Sequence, residues 1–209
     1  MLIPITYAKI KDKVRTGDII ACGGGEDLLS KAIEKVTKGN ITHVAGVLET
    51  HAMGTSGISY NLGIESTMRG SFLGVQIASL DLIICEKEFP EKGERRPVWY
   101  LPLKDEIFRN FDCDKYSKFL KSQIGKSWDY RQAFYKVIGR KIYEDFNSFF
   151  CSEIVAAGLE AGGAVTNINV SEITPIDICK WNIWKEDYYL LVGDPEVDVI
   201  EGYNTKKPV

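Results

Sequence analysis

Apolar and polar positions divide the chain into an early region of short apolar runs and a later region with helical spacing. Residues 17–22 read as a turn and a short strand, with Ile19, Ile20, Ala21 and Cys22 as an unbroken apolar run. Gly23, Gly24 and Gly25 separate it from residues 27–36, where Leu28, Leu29, Ile33 and Val36 share one helical face. Residues 41–49 are rich in β-branched and apolar side chains and predict a strand, and 60–67 predict its return, with 50–58 as the loop. Residues 74–77 lead into a further strand over 80–85. Residues 86–97 are charged, contain Pro90 and Pro97, and read as a surface loop before a strand over 98–103. From 104 to 145 the spacing turns helical: Tyr116, Phe119, Leu120, Gln123 and Ile124 fall on one face, and Ala133, Phe134, Val137 and Ile138 resume the pattern after an interruption at 125–130. A helix from Cys151, a short helix with Pro175 suited to its first position, and a strand over 188–192 complete the core. Residues 1–16 read as a lead-in, and the polar stretch from 195 as a loosely held tail. The expectation is one domain over 1–209.

Composition narrows the classes. The 209 residues are 44% apolar and 26% charged, which supports a sizeable core. A net charge of -3 gives no basis for nucleic-acid binding, and the aromatics are not interleaved with basic runs. The five cysteines, at 22, 85, 113, 151 and 179, are odd in number and widely spaced, with no C-x-x-C pair. A zinc knuckle or disulfide framework is therefore not expected, and a reducing compartment is. Two histidines, His43 and His51, are too few for a histidine-rich metal site. The expectation is no metal and no cofactor. No apolar run has transmembrane length, and the apolar N-terminus is too short for a signal h-region. A cytoplasmic protein without an integral membrane segment is the expectation.

The candidate chemistry centres on Asn147, Ser148, Phe149, Phe150, Cys151, Ser152 and Glu153. Asn147 or Ser148 can cap a helix whose core face is Ile154, Val155 and Leu159, and Gly162 and Gly163 let the chain leave it. A thiol in the first turn of a helix lies at the positive end of the dipole, which favours the nucleophilic thiolate. The alternative is a small buried hydrophobe. A hairpin centred on Gly54 places Glu65 directly opposite His43, where it can accept the second ring N–H and fix the tautomer of a general-base imidazole. The register carries this inference, since a slip of one residue breaks the pairing. The glycine run at 23–25 lacks the lysine of a phosphate loop and reads as a turn where backbone passes close to something.

Three stretches stand in fixed order: Ile41-Thr42-His43-Val44-Ala45-Gly46-Val47, then Gly63-Ile64-Glu65-Ser66, then Phe149-Phe150-Cys151-Ser152-Glu153. With Gly17-Asp18-Ile19-Ile20, Gly125-Lys126-Ser127-Trp128-Asp129-Tyr130 and Ile173-Thr174-Pro175, the set resembles the NlpC-type papain-like cysteine hydrolases. The order, histidine first and cysteine last, resembles the circularly permuted YiiX-like branch, over roughly residues 15–180. The resemblance implies a papain-like α+β fold, an antiparallel sheet or small barrel packed on the cysteine helix, here with a helical insertion over 104–145. It implies Cys151 as nucleophile, His43 as general base and Glu65 as the residue that orients the imidazole. The implied activity is a peptidase or amidase acting through an acyl-enzyme thioester on a peptide or an N-acyl lipid-like substrate. The alternatives are a thioester-dependent acyltransferase and a non-catalytic module binding a small ligand, lipid or peptide on the same fold. A nucleotide-binding protein using the glycine run lacks a lysine or acidic partner at useful spacing.

Overall fold

In a computed structural model, which describes residues 1–24, 31, 34, 35, 37, 39–54, 58–69, 71–90, 95–127 and 151–208, a mixed sheet carries helices on both faces. Its strands are β1 (Leu2–Pro4), β2 (Ile19–Gly23), β3 (Ile41–Met53), β4 (Ser59–Arg69), β5 (Phe72–Ser79), β6 (Val98–Leu101) and β7 (Tyr188–Val192). The helices among the described residues are α1 (Tyr7–Ile10), α2 (Leu80–Glu88), α3 (Asp105–Phe108), α4 (Cys113–Lys121), α5 (Cys151–Ala161) and α6 (Pro175–Lys180). The spatial order is β1-β7-β6-β2-β3-β4-β5. β1 and β7 run parallel and every other neighbouring pair antiparallel, so the expected antiparallel sheet is a mixed one, and the class is α+β.

β2 explains why its sequence does not alternate. Ile19 and Ala21 join the core shared with α4, α5 and α6, while Ile20 and Cys22 join the core closed by α1 and α2. A strand covered on both faces reads as a continuous apolar run. On β3, Val44 and Leu48 belong to the first core, and Ala45 and Val47 to the second. Gly46 lies between them, and a Cβ there would meet the Tyr116 hydroxyl of α4 and lie 3.7 Å from Val155 of α5. The missing side chain lets Tyr116 of α4 close on β3, three residues from His43.

Four expectations are corrected. Residues 80–85 are the start of helix α2: Ser79 caps it by accepting from the Leu82 N–H, and Leu80, Ile83 and Ile84 are buried at helical spacing. A short apolar run suits a strand or a buried helix equally, and the cap decides it. The lead-in contains β1, which extends the sheet beside β7. The polar tail is held: Trp99 Nε1 donates to the Asp198 carbonyl at 3.0 Å, Ile200 is buried, Tyr203 stacks on Tyr188, and Lys206 exchanges backbone bonds with Lys180 and Asn182. The β3–β4 hairpin turns beyond Gly54, with Met53 paired to Ser59, and two register shifts follow along the strands. Gly46 consequently faces Ile64, in place of the Leu62 that a turn centred on Gly54 gives. Of the expected 104–145 helical region, α3 and α4 lie within the described residues, and 128–145 lie outside them.

Candidate active site

β3 supplies His43, β4 supplies Glu65 and α5 supplies Cys151. The residues expected to cap α5, Asn147 and Ser148, lie outside the described residues. The offset between the expected and observed hairpin registers at Gly46 is two residues. Side chains alternate faces with a period of two, so an even offset keeps Glu65 on the face assigned to it. One step beyond the Gly46–Ile64 pair, Glu65 lies across from Ala45, a diagonal neighbour of His43 within reach of long side chains.

The contact is made: His43 Nε2 lies 2.6 Å from Glu65 Oε2. The Glu65 side chain is 1% exposed and that of His43 16%. Because Nε2 is engaged by the carboxylate, Nδ1 is the ring nitrogen left for the Cys151 sulfur, with which the imidazole also hydrogen-bonds. The N–H groups of Val44 and Ser152 also face the sulfur. Cys151 is 8% exposed. Its immediate support is local: Ser152 donates through Oγ to the Ile173 carbonyl at 2.7 Å, tying α5 to the segment that enters α6. Thr174 then starts α6 with a capping box to Asp177 and Pro175 at its first turn.

The electrostatics follow from this arrangement. Burial works against the charged form of all three groups. For Cys151, the His43 charge and hydrogen bond, with the two backbone N–H groups, outweigh burial and hold the thiol below its ordinary range. For His43, burial is outweighed by the sulfur and by Glu65, and the imidazolium persists above the ordinary histidine range. For Glu65, burial is outweighed by the hydrogen bond and charge of His43 and by the charges of Lys87 and Arg69, which hold the carboxyl well below the ordinary range. Burial pushes the Cys22 thiol up to about 12 and raises those of Cys113 and Cys179. All five cysteines are free.

Sequence reasoning missed two groups. Arg69 Nη2 donates to Glu65 Oε1 at 2.6 Å, and its Nε and Nη2 donate to Glu86 Oε1 and Oε2 of α2, both at 2.9 Å. The signal for Arg69 is present in the sequence, because a residue four places from Glu65 on one strand shares its face. Glu86 carries no such signal, since its position depends on residues 80–88 being helical. The other residues considered lie away from the site. His51 is exposed on β3, with its N–H donating to Asn61 Oδ1 at 3.2 Å, and Glu49 pairs with Lys121 at 2.9 Å. At the glycine run, a Cβ on Gly23 would crowd the Asn40 carbonyl, Trp99 and Pro97; Gly25 lies outside the described residues. Among the described residues no group of three or more His, Cys, Asp or Glu side chains is arranged to hold a metal ion, and no helix is long and apolar enough to cross a membrane.

No protein-family profile matches the chain, and no curated protein does. Among solved structures, the chain is similar to the metalloprotein yiiX from Escherichia coli O157:H7, at 18% identity and a TM-score of 0.48, over 72% of this chain and 67% of that one.

Proposed function

We propose that the chain is a papain-like cysteine hydrolase of the circularly permuted NlpC type, a peptidase or amidase that cleaves an amide bond of a peptide or an N-acyl lipid-like substrate. One observation carries this reading: a thiol held against an imidazole whose other nitrogen rests on a buried, ionised carboxylate. An inert core cysteine has no use for either partner.

The chemistry follows from the resting charges. The Cys151 thiolate and His43 imidazolium form an ion pair. The sulfur attacks the substrate carbonyl carbon, forming a C–S bond and placing negative charge on the carbonyl oxygen. Backbone N–H groups at the start of α5 are the candidates for stabilising that oxygen. Collapse breaks the C–N bond, and His43 gives the amine its Nδ1 proton, leaving a thioester and a neutral imidazole. His43 then takes a proton from water as the water attacks the thioester. Release of the carboxylic acid restores thiolate and imidazolium. Glu65 keeps the other proton on Nε2 throughout, so that Nδ1 remains the working nitrogen.

The test is the alkylation rate of each cysteine against pH, read by peptide mass spectrometry, with a His43→Ala variant alongside. Cys151 is expected to react fast at and below neutral pH, with Cys22, Cys113 and Cys179 slow, and His43→Ala to abolish the advantage. A Cys151 that reacts no faster than the other four, even under mild loosening conditions, would overturn the hydrolase reading in favour of a binding module.

A further inference from the structure

We propose that Arg69 and Glu86 act as a positioning pair for this site, holding the Glu65 carboxylate charged and in one orientation so that proton exchange during turnover is confined to the Cys151 side of His43. This inference rests on the cysteine-hydrolase reading above.

The geometry is a line of alternating charge running outward from the sulfur. Glu65 presents Oε2 to His43 Nε2 and Oε1 to Arg69 Nη2, each at 2.6 Å. Arg69 in turn grips both oxygens of Glu86. Side-chain exposure rises along the line, from 1% at Glu65 to 21% at Arg69 and 36% at Glu86. Arg69 is therefore fixed on two sides, and its forked guanidinium makes a planar match to a carboxylate that a lysine does not reproduce.

The need for such a pair arises in the catalytic cycle. A carboxylate this buried, without a cation, takes up a proton. His43 supplies that cation only while it is an imidazolium. Once it has given its Nδ1 proton to the leaving amine, its charge is gone and Glu65 depends on Arg69. Without Arg69 the carboxylate is basic enough to take the Nε2 proton when Nδ1 next gains one from the attacking water, which leaves a neutral imidazole in the Nδ1–H tautomer and a carboxylic acid in place of the carboxylate. The charged and titratable groups facing Glu65 are His43 from β3, with Cys151 of α5 beyond it, the Cys22 thiol from β2, Lys87 from α2, and Arg69 on its own strand. Lys87 acts on Glu65 through its charge without a hydrogen bond, so removing Arg69 leaves that charge but takes away the hydrogen bond. The plainer role for Arg69 and Glu86 is a strap between β4 and α2. A partly exposed pair acting only as a strap contributes little to stability and leaves the titration of a sulfur on another element unmoved.

The deciding measurement is the pH profile of Cys151 alkylation in the wild type, Arg69→Met, Arg69→Lys and Glu86→Gln, each with a thermal melt. In Arg69→Met the acid limb is expected to move up by about one pH unit or more, with the rate at the middle of the original limb lower by about fivefold or more and, well below it, by about tenfold or more. Arg69→Lys should recover part of the shift, since one ammonium can serve Glu65 without bridging to both oxygens of Glu86. Glu86→Gln should move the limb in the same direction by less. If Arg69→Met does not fold, the other two variants decide. A reactive wild-type Cys151 whose limb stays in place in every folded variant would overturn the positioning role and leave the hydrolase reading intact. A wild-type Cys151 that behaves as an ordinary thiol would overturn both.

Discussion

Glu65 is the residue through which His43 and Arg69 are joined, with one carboxylate oxygen 2.6 Å from each. Glu65→Gln keeps a carbonyl that can accept from His43 Nε2, but it removes the charge and leaves one side of Arg69 against a neutral amide. Each pKa unit by which His43 falls or Cys151 rises is a tenfold change in the ion-pair population. Cys151 alkylation in Glu65→Gln is therefore expected to be slower by about tenfold or more at neutral pH, measured against the wild type. The same pair makes stability depend on pH, with opposite signs for its two members. Glu65, held below its ordinary value of 4.5, contributes stability that is present above that value and lost as pH falls through its folded value. His43, held above its ordinary value of 6.5, contributes stability that is present below that value and lost as pH rises through its folded value. The two contributions coincide between 4.5 and 6.5. Urea denaturation across pH should find the loss caused by Glu65→Gln greatest in that window, and a loss independent of pH would contradict the charge assignment.

At the scale of elements, α4 reaches β3 through a contact that stores an unmet hydrogen bond. The Tyr116 hydroxyl is buried against Gly46 and has no partner among the described residues. Leaving a buried hydroxyl unpaired costs about 1–3 kcal/mol. Tyr116→Phe is thus expected to raise the unfolding free energy, by about 1 kcal/mol, with Cys151 reactivity unchanged. Gly46→Ala should do the reverse, costing about 1–3 kcal/mol because the added methyl has no room. The clash falls on the Tyr116 hydroxyl of α4 while Val155 of α5 stays at ordinary contact distance, so Cys151 alkylation is expected to change little. Chemical denaturation and alkylation of the two variants together separate packing from chemistry. The element that sequence patterning misassigned, α2, is the one that brings Glu86 to Arg69. Its residues Leu80, Ile83 and Ile84 suit a strand by composition, and Ser79 settles the matter through a single cap.

Over the whole molecule, segments distant in sequence close the sheet. Asp18 is buried at the start of β2 and accepts from the N–H groups of Leu103 and Arg15, both at 2.8 Å, and from the Tyr100 hydroxyl at 2.6 Å. It ties the lead-in, β2 and the end of β6 at one point. Burial pushes its carboxyl up to about 6 against the pull of those donors. Both carboxylate oxygens accept a backbone N–H and an amide has only one oxygen, so Asp18→Asn is expected to cost about 1–3 kcal/mol at neutral pH, read by denaturant unfolding. The segment beyond 195 acts in the same way from the other end, through Asp198, Ile200, Tyr203 and Lys206. A chain shortened at 195 should lose about 3 kcal/mol or more, from the burial of Ile200 and Tyr203 alone.

Periodicity and residue type were enough to place β2, β3, β4, β6 and β7, the cysteine helix and the start of α6. Each of these depends on local spacing or on a turn residue such as Pro175, and local interactions are written in consecutive positions. The pairing of His43 with Glu65 was legible for a narrower reason. The face a strand residue occupies survives an even slip, so an imperfect register still brought the two side chains together. What local pattern does not carry is contact between segments whose separation depends on the rest of the fold. The addition of β1 beside β7 and the anchoring of the tail on Trp99 and Tyr188 were set by packing partners far away in the chain. Arg69 lay on the legible face of β4, but its meaning came from Glu86, and only the packing of α2 against β4 put that carboxylate within reach.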